Sequence, residues 1–279
     1  MKHLNDYITE KLKINSNTKV KEYTYKPETK EELIEIIEKK LRENKNANLN
    51  DIDVSEITDM SELFSGLDPH NVDMSDWNVS KVKDMRYMFN HSHSLNADLS
   101  EWNVSNVENM ECMFANCYVH FNSDLSKWDV SKVENMKGMF YDCEKFNSDL
   151  SKWDVSKVKY TSRMFVKCKN FNSDLSKWDV SNVNNMEWMF SCCENFNSDL
   201  SKWNVSNVED MCGVFNNCYK FNSDLSNWDV SNVKDMYEMF NDCKNFNSDL
   251  SNWDVAVNDM RDMFKGCKSL KNKPSWYKK

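Results

Sequence analysis

The sequence predicts an α/β solenoid, with a parallel sheet on one side, short helices on the other and an αβα cap at the N-terminus. Three observations predict it. A tryptophan recurs at Trp77, Trp102, Trp128, Trp153, Trp178, Trp203, Trp228 and Trp253, with six gaps of 25 residues and one of 26. The text around each barely changes, and its fullest form is F-N-S-D-L-S-K-W-D-V-S-x-V-x-x-M-x-x-M-F-x-x-C. Within each unit the apolar spacing changes from two residues to three and four, the change expected where a strand gives way to a helix. A repeat period of about 20–50 residues marks solenoids, propellers and arrays. In such arrays each unit packs only on its neighbours.

The cap is expected over residues 1–47. Leu4, Tyr7, Ile8, Leu12 and Ile14 suggest a short amphipathic helix, and Val20 to Tyr25 alternates as a strand does. Thr29 then opens a second helix, with Glu32 placed to reach back in a capping box. Leu33, Ile34, Ile36, Ile37 and Leu41 give that helix an apolar face, and Lys39, Lys40 and Arg42 suit its C-terminal end. A stack of coils leaves an open apolar end that such a segment would cover.

Nine repeats are expected over residues 48–271. The first is disguised, with Ile52 in the Trp position and Met60, Leu63 and Phe64 in the M-x-x-M-F part. Units from Phe121 to Phe246 are nearly identical, and the last is trimmed at Val255-Ala256-Val257. In a typical unit Trp128 and Val130 lie two apart, on one face of a strand. Val133, Met136, Met139, Phe140 and Cys143 recur at three and four residues and predict a helix. Ser131 is its expected cap, with Glu134 completing a box, as Glu108 and Glu209 do in their units. Residues 272–279, with Pro274-Ser275-Trp276-Tyr277, resemble one more strand that closes the stack.

Composition narrows the function. Net charge is −9, and residues 1–47 hold eleven Lys/Arg against nine Asp/Glu, so the repeats are acidic. Phosphate contacts dominate nucleic-acid affinity, so neither DNA nor RNA is an expected partner. No run of about eighteen apolar residues is present, and no membrane insertion is expected. The first residues lack the apolar core of a secretory signal, which predicts a cytoplasmic chain.

Seven cysteines form a column: Cys117, Cys143, Cys168, Cys193, Cys218, Cys243 and Cys267. Parallel side chains on successive coils reach disulfide distance but miss its torsion, so a buried thiol ladder is expected. Cys112, Cys192 and Cys212 fall off the column and are expected at the surface. An Asp column (Asp73, Asp98, Asp124, Asp149, Asp174, Asp199, Asp224, Asp249) and an Asn column from Asn122 to Asn247 invite two readings. One is a calcium ladder. The favoured one is turns held by side-chain bonds to nearby backbone N–H groups, since few glycines are present to shape a metal loop. His91, His93 and His120 are read as loop residues, and neither a metal nor another cofactor is expected.

The form L-x-x-W-x-V-x-x-V-x-x-M-x-x-M-F-x-x-C-x-x-F, as in Met139-Phe140 to Cys143 and Phe146, resembles a leucine-rich repeat of the BspA-like class. The longer D-L-S-x-W-D-V-S-x-V-x-x-M-x-x-M-F form resembles the repeats of mycoplasma lipoproteins and gut-bacterial surface proteins. The resemblance spans roughly residues 49–277 and implies a curved, right-handed solenoid. It also implies surface display, and adhesion or protein binding. No catalytic residues come with it.

No nucleophile elbow, phosphate loop or paired catalytic carboxylates appear, and an enzyme is not expected. The candidate binding residues are the outward positions flanking the Trp column: Lys127, Asp129, Lys152, Asp154, Lys177, Asp179, Lys202, Asn204, Asp229 and Asp254. Opposite charges are expected to lie side by side there. Nine strands at about 4.8 Å would span roughly 40 Å, wide enough for a standard interface of about 800 Å² per partner. The expected function is non-catalytic protein binding through this polar face. A surface adhesin for glycan or host matrix is the alternative.

Overall fold

The computed structural model describes residues 22–257 and 259–277. The first expected helix, from Leu4 to Ile14, and the start of the expected strand at Val20 lie outside them. Helix α1 runs Lys30–Glu43. Thr29 caps it, its hydroxyl accepting the Glu32 N–H. Glu32 reaches back to the N–H of Glu28, one residue beyond the capping box expected. Leu33, Ile37 and Leu41 are buried against the first coil. Lys30 bonds Ser61, and Lys40 pairs with Asp51 at 2.8 Å, so both ends of α1 are tied to the first coil. Tyr25 forms a parallel bridge to Ile52.

From there the chain winds in coils that stack at the repeat period. Parallel bridges join Asp59, Asp84, Asn109, Asn135, Tyr160, Asn185, Asp210, Asp235 and Asp259 in succession. The rings follow the same order. Trp153, Trp178, Trp203, Trp228 and Trp253 lie 6.4–6.5 Å apart between successive centroids, each within 1° of parallel to the next. Phe140, Phe165, Phe190 and Phe215 stack at 5.5–5.8 Å. A second Phe column slots beside it, Phe146 sitting 4.0 Å from Phe140. All of these rings are buried. Each contributes about 1.5–3 kcal/mol of burial.

The local structure inside a coil differs from the strand and helix expected. Among the described residues of the repeats there is no α-helix. Over Met136–Cys143 the chain makes successive turns instead, with Met139 N–H bonded to Met136 C=O, Tyr141 to Gly138 and Cys143 to Phe140. The intervening N–H groups leave the coil. Met136, Gly138, Phe140 and Asp142 donate to the carbonyls of Tyr160, Ser162, Met164 and Val166 in the next coil, at 2.7–3.0 Å. A helix would have spent these groups internally. Turns closed over three residues return the chain to the same side as a helix does, which is why the apolar spacing looked helical. Val133, Met136, Met139, Phe140 and Cys143 are all buried as the pattern required.

Ser131 accordingly caps no helix. Its N–H donates to the Asp129 carboxylate, while Glu134 pairs with Lys159 and Glu209 with Lys234 in the next coil. The segment around Trp128 is likewise turned rather than extended, with Trp128 N–H on Leu125 C=O and Val133 N–H on Val130 C=O. Coil-to-coil backbone pairing therefore rests mainly on the bridge that recurs once per coil from Asp59 to Asp259 and on the outgoing N–H ladder, with a second bridge, Asn48 to Asp73, at the first coil.

Side chains complete the stitching. Trp128 Nε1 donates to Leu99 C=O in the preceding coil, Trp153 to Leu125 and Trp178 to Leu150, at 2.9–3.0 Å. Trp276 makes the same bond to Leu250 and stacks 6.1 Å from Trp253, so it continues the column. Leu125 N–H donates to Ser148 Oγ of the next coil. Asn147 N–H donates to Asn122 Oδ1, a bond repeated along the Asn column. Each column thiol donates to a Phe carbonyl one coil back, as Cys168 does to Phe140 at 3.0 Å.

Candidate binding surface

Lys127, Asp129, Lys152, Asp154, Lys177, Asp179, Lys202, Asn204, Asp229 and Asp254 are all exposed, in rows on either side of the buried Trp column. The Asp row is shaped by local turns. Asp129, Asp154, Asp179 and Asp229 each accept the N–H of the serine two residues on, at 3.0–3.1 Å, and Asn204 does the same for Ser206. The Ser156 hydroxyl and N–H hold the Asp154 carboxyl below the usual carboxylate range, and Ser231 does so for Asp229. Their lone pairs are thus partly spent on the backbone.

The expected pairing of Lys with Asp across this face is not made. Lys127 pairs with Glu101 in the preceding coil at 2.5 Å, and this contact raises its pKa. Lys152, Lys177 and Lys202 form no ion pair among the described residues. Each lies close enough to Asp149, Asp174 or Asp199 in its own coil to help lower that carboxyl. The main cause there is the N–H of Ser151, Ser176 or Ser201, the bond expected of a turn. These three lysines are therefore exposed cations with no direct ion pair among the described residues.

The thiol ladder is present, and all ten cysteines are free. Burial pushes the column thiols well up, Cys168 and Cys193 among them. Cys112, Cys192 and Cys212 are half-buried rather than exposed, the Cys112 thiol lying against Gly138 of the next coil. His91 and His93 lie 5.8 Å apart and His93 packs at a tilt against Tyr118, while His120 lines a shallow groove together with Asp98 and Asp124. Among the described residues, no three His, Cys, Asp or Glu side chains are grouped to hold a metal ion, and no helix is long and apolar enough to cross a membrane.

A second surface escaped the sequence reading. It is built from positions between and after the two methionines, written x in the repeat. They differ from coil to coil: Tyr87, Cys112, Gly138, Arg163, Trp188, Gly213 and Glu238 occupy one such column, in which Arg163 is exposed, the two glycines are buried and the rest are half-buried. All have φ between 51° and 60°. This left-handed region costs roughly 1–2 kcal/mol for residues with a Cβ. Three of the four glycines make room for a neighbour. A Cβ on Gly138 would meet Cys112 Sγ at 2.8 Å, one on Gly213 would meet the Trp188 ring and one on Gly266 would meet Asp242. Between the coils Tyr141, Arg163, Val166, Trp188 and Ser191 line a groove of about 250 Å³. The available signal was the variation itself, concentrated at the x positions.

Stacked, near-identical coils joined by ladders of rings and hydrogen bonds define a tandem-repeat protein. The chain belongs to the family described as "Mycoplasma protein of unknown function", DUF285, which matches residues 34–126, 116–201 and 168–277. No curated protein and no solved structure matches it.

Proposed function

We propose that the chain is a non-catalytic repeat scaffold that binds a protein partner through the exposed polar rows flanking the Trp column. We also propose that its coils are a leucine-rich-repeat-like solenoid of the BspA-like class, with turns where that class would carry helices. One observation carries the functional reading. Lys152, Lys177 and Lys202 recur at one coil's spacing, exposed and free of ion pairs among the described residues, over a rigid buried core. A regular row of exposed cations without direct ion pairs, set beside Asp154 and Asp179, suits a partner with its own repeating charge. Many weak contacts then add up through high effective concentration.

The test is an affinity capture from native host extract, comparing the wild-type chain with a variant carrying Lys→Glu at positions 127, 152, 177 and 202. The expected result is a discrete protein retained by wild type and lost by the variant. Equal recovery by both would remove this face from consideration. Retention of a host-matrix glycan, lost with the same substitutions, would favour an adhesin.

A further inference from the structure

The coil of Trp153 stands apart from its neighbours. Residues 146–170 hold six Lys/Arg and only two Asp, in a chain whose net charge is −9. Tyr160 stands where other coils carry an Asp or Asn that accepts the N–H two residues on, and it is 46% exposed. This coil also forms the middle of the groove lined by Tyr141, Arg163, Val166, Trp188 and Ser191.

The charge arrangement on this side is layered. Lys137 pairs with Glu111, Arg163 with Glu187 and Lys167 with Asp142. In each pair the acid is the more covered partner: the cations keep 49%, 50% and 45% of their side-chain surface, the acids 21%, 28% and 22%. An approaching molecule therefore meets cations first. Exposed pairs of this kind contribute little to stability, so their cations are cheaply shared with a second anion. Aromatic surface lies among them. Lys167 sits over the Tyr141 ring, and the Trp188 ring lies against Gly213 with its remaining surface in the groove. Trp, Tyr and Arg are the residue types that most often anchor interfaces.

We propose that this groove docks an extended acidic segment of a partner protein. An apolar side chain of the segment would rest on Val166 between Tyr141 and Trp188, and its carboxylates would meet Arg163, Lys167 and Lys137. The inference rests on the chain being a binding scaffold, but it uses a different face from the Lys127–Lys202 row.

The test uses a fluorescein-labelled polyglutamate peptide with one central leucine, titrated with the full chain and read by anisotropy. Saturable binding that weakens as salt rises is expected. Trp188→Ala and Arg163→Gly should each weaken it by about tenfold or more. Arg163→Gly removes the cation while relieving the positive φ, so it keeps the test valid should Trp188→Ala fail to fold. The fourfold Lys→Glu variant of the other face should bind the peptide as wild type does. Its loss of the captured partner, or failure to lose it, reports on the scaffold reading separately. Absence of saturable binding, or Arg163→Gly binding unchanged, would overturn the proposal. Equal affinity for a sulfated oligosaccharide would also overturn it, by showing a general anion surface.

Discussion

At the scale of single residues, the repeated letters answer to hydrogen bonds as much as to packing. Trp is retained where its indole N–H reaches a carbonyl one coil back, and Phe offers no such donor. The sequence made the burial of Trp legible, but its donor had no visible destination. Cys shows the same gap: the column was readable as buried thiols, and their bond to a Phe carbonyl was not. These thiols carry a pH consequence. Burial pushes Cys117, Cys143, Cys168, Cys193, Cys218 and Cys243 above their ordinary value of 9.0. The folded chain keeps these protons while the unfolded chain loses them above about pH 9, so folding stability falls as pH rises past that point. Each thiol adds up to about 1.4 kcal/mol per pH unit to the slope, the limit being reached once the unfolded thiol is fully ionised. Urea unfolding between pH 7 and pH 10 should show a steep loss that weakens in a Cys168→Ala, Cys193→Ala variant.

At the scale of the element, the helix predicted from Val133 to Cys143 is absent because spacing cannot tell a helix from turns that repeat every three residues. What separates them is the destination of alternate N–H groups, which here cross to the next coil. The turns place a left-handed residue at two points in each coil, yet the chain holds only four glycines. At Gly138, Gly213 and Gly266 the neighbouring side chain explains the glycine. Gly213→Ala would bring a Cβ to 2.2 Å from Trp188 at a φ of 58°, and should destabilise the chain by about 2–4 kcal/mol in chemical denaturation. Lys167→Gly should act oppositely and add roughly 1 kcal/mol, since its φ is 61° and its pair with Asp142 is exposed. A stabilising Gly213→Ala would mean that the turn adopts another conformation.

At the scale of the molecule, helix α1, the order of coils and the place of Trp276 beside the Trp column were all legible, because each announces itself by period or by helix-capping chemistry. The surface was legible only in part. The exposed Lys and Asp rows stood out because they repeat, whereas the groove around Arg163 and Trp188 is written in positions that do not. An invariant core with one changing side is the division expected when folding and recognition fall to different residues. The nine indoles of the column and Trp188 provide the direct comparison. Nine donate to a backbone carbonyl one coil back, from Trp77 to Trp276, while Trp188 has no indole bond among the described residues. Hydrogen exchange of the indole N–H groups, followed by NMR at neutral pH, should leave the column signals protected and exchange Trp188 at once. If several column indoles exchange as fast as Trp188, the stacked, hydrogen-bonded spine is wrong.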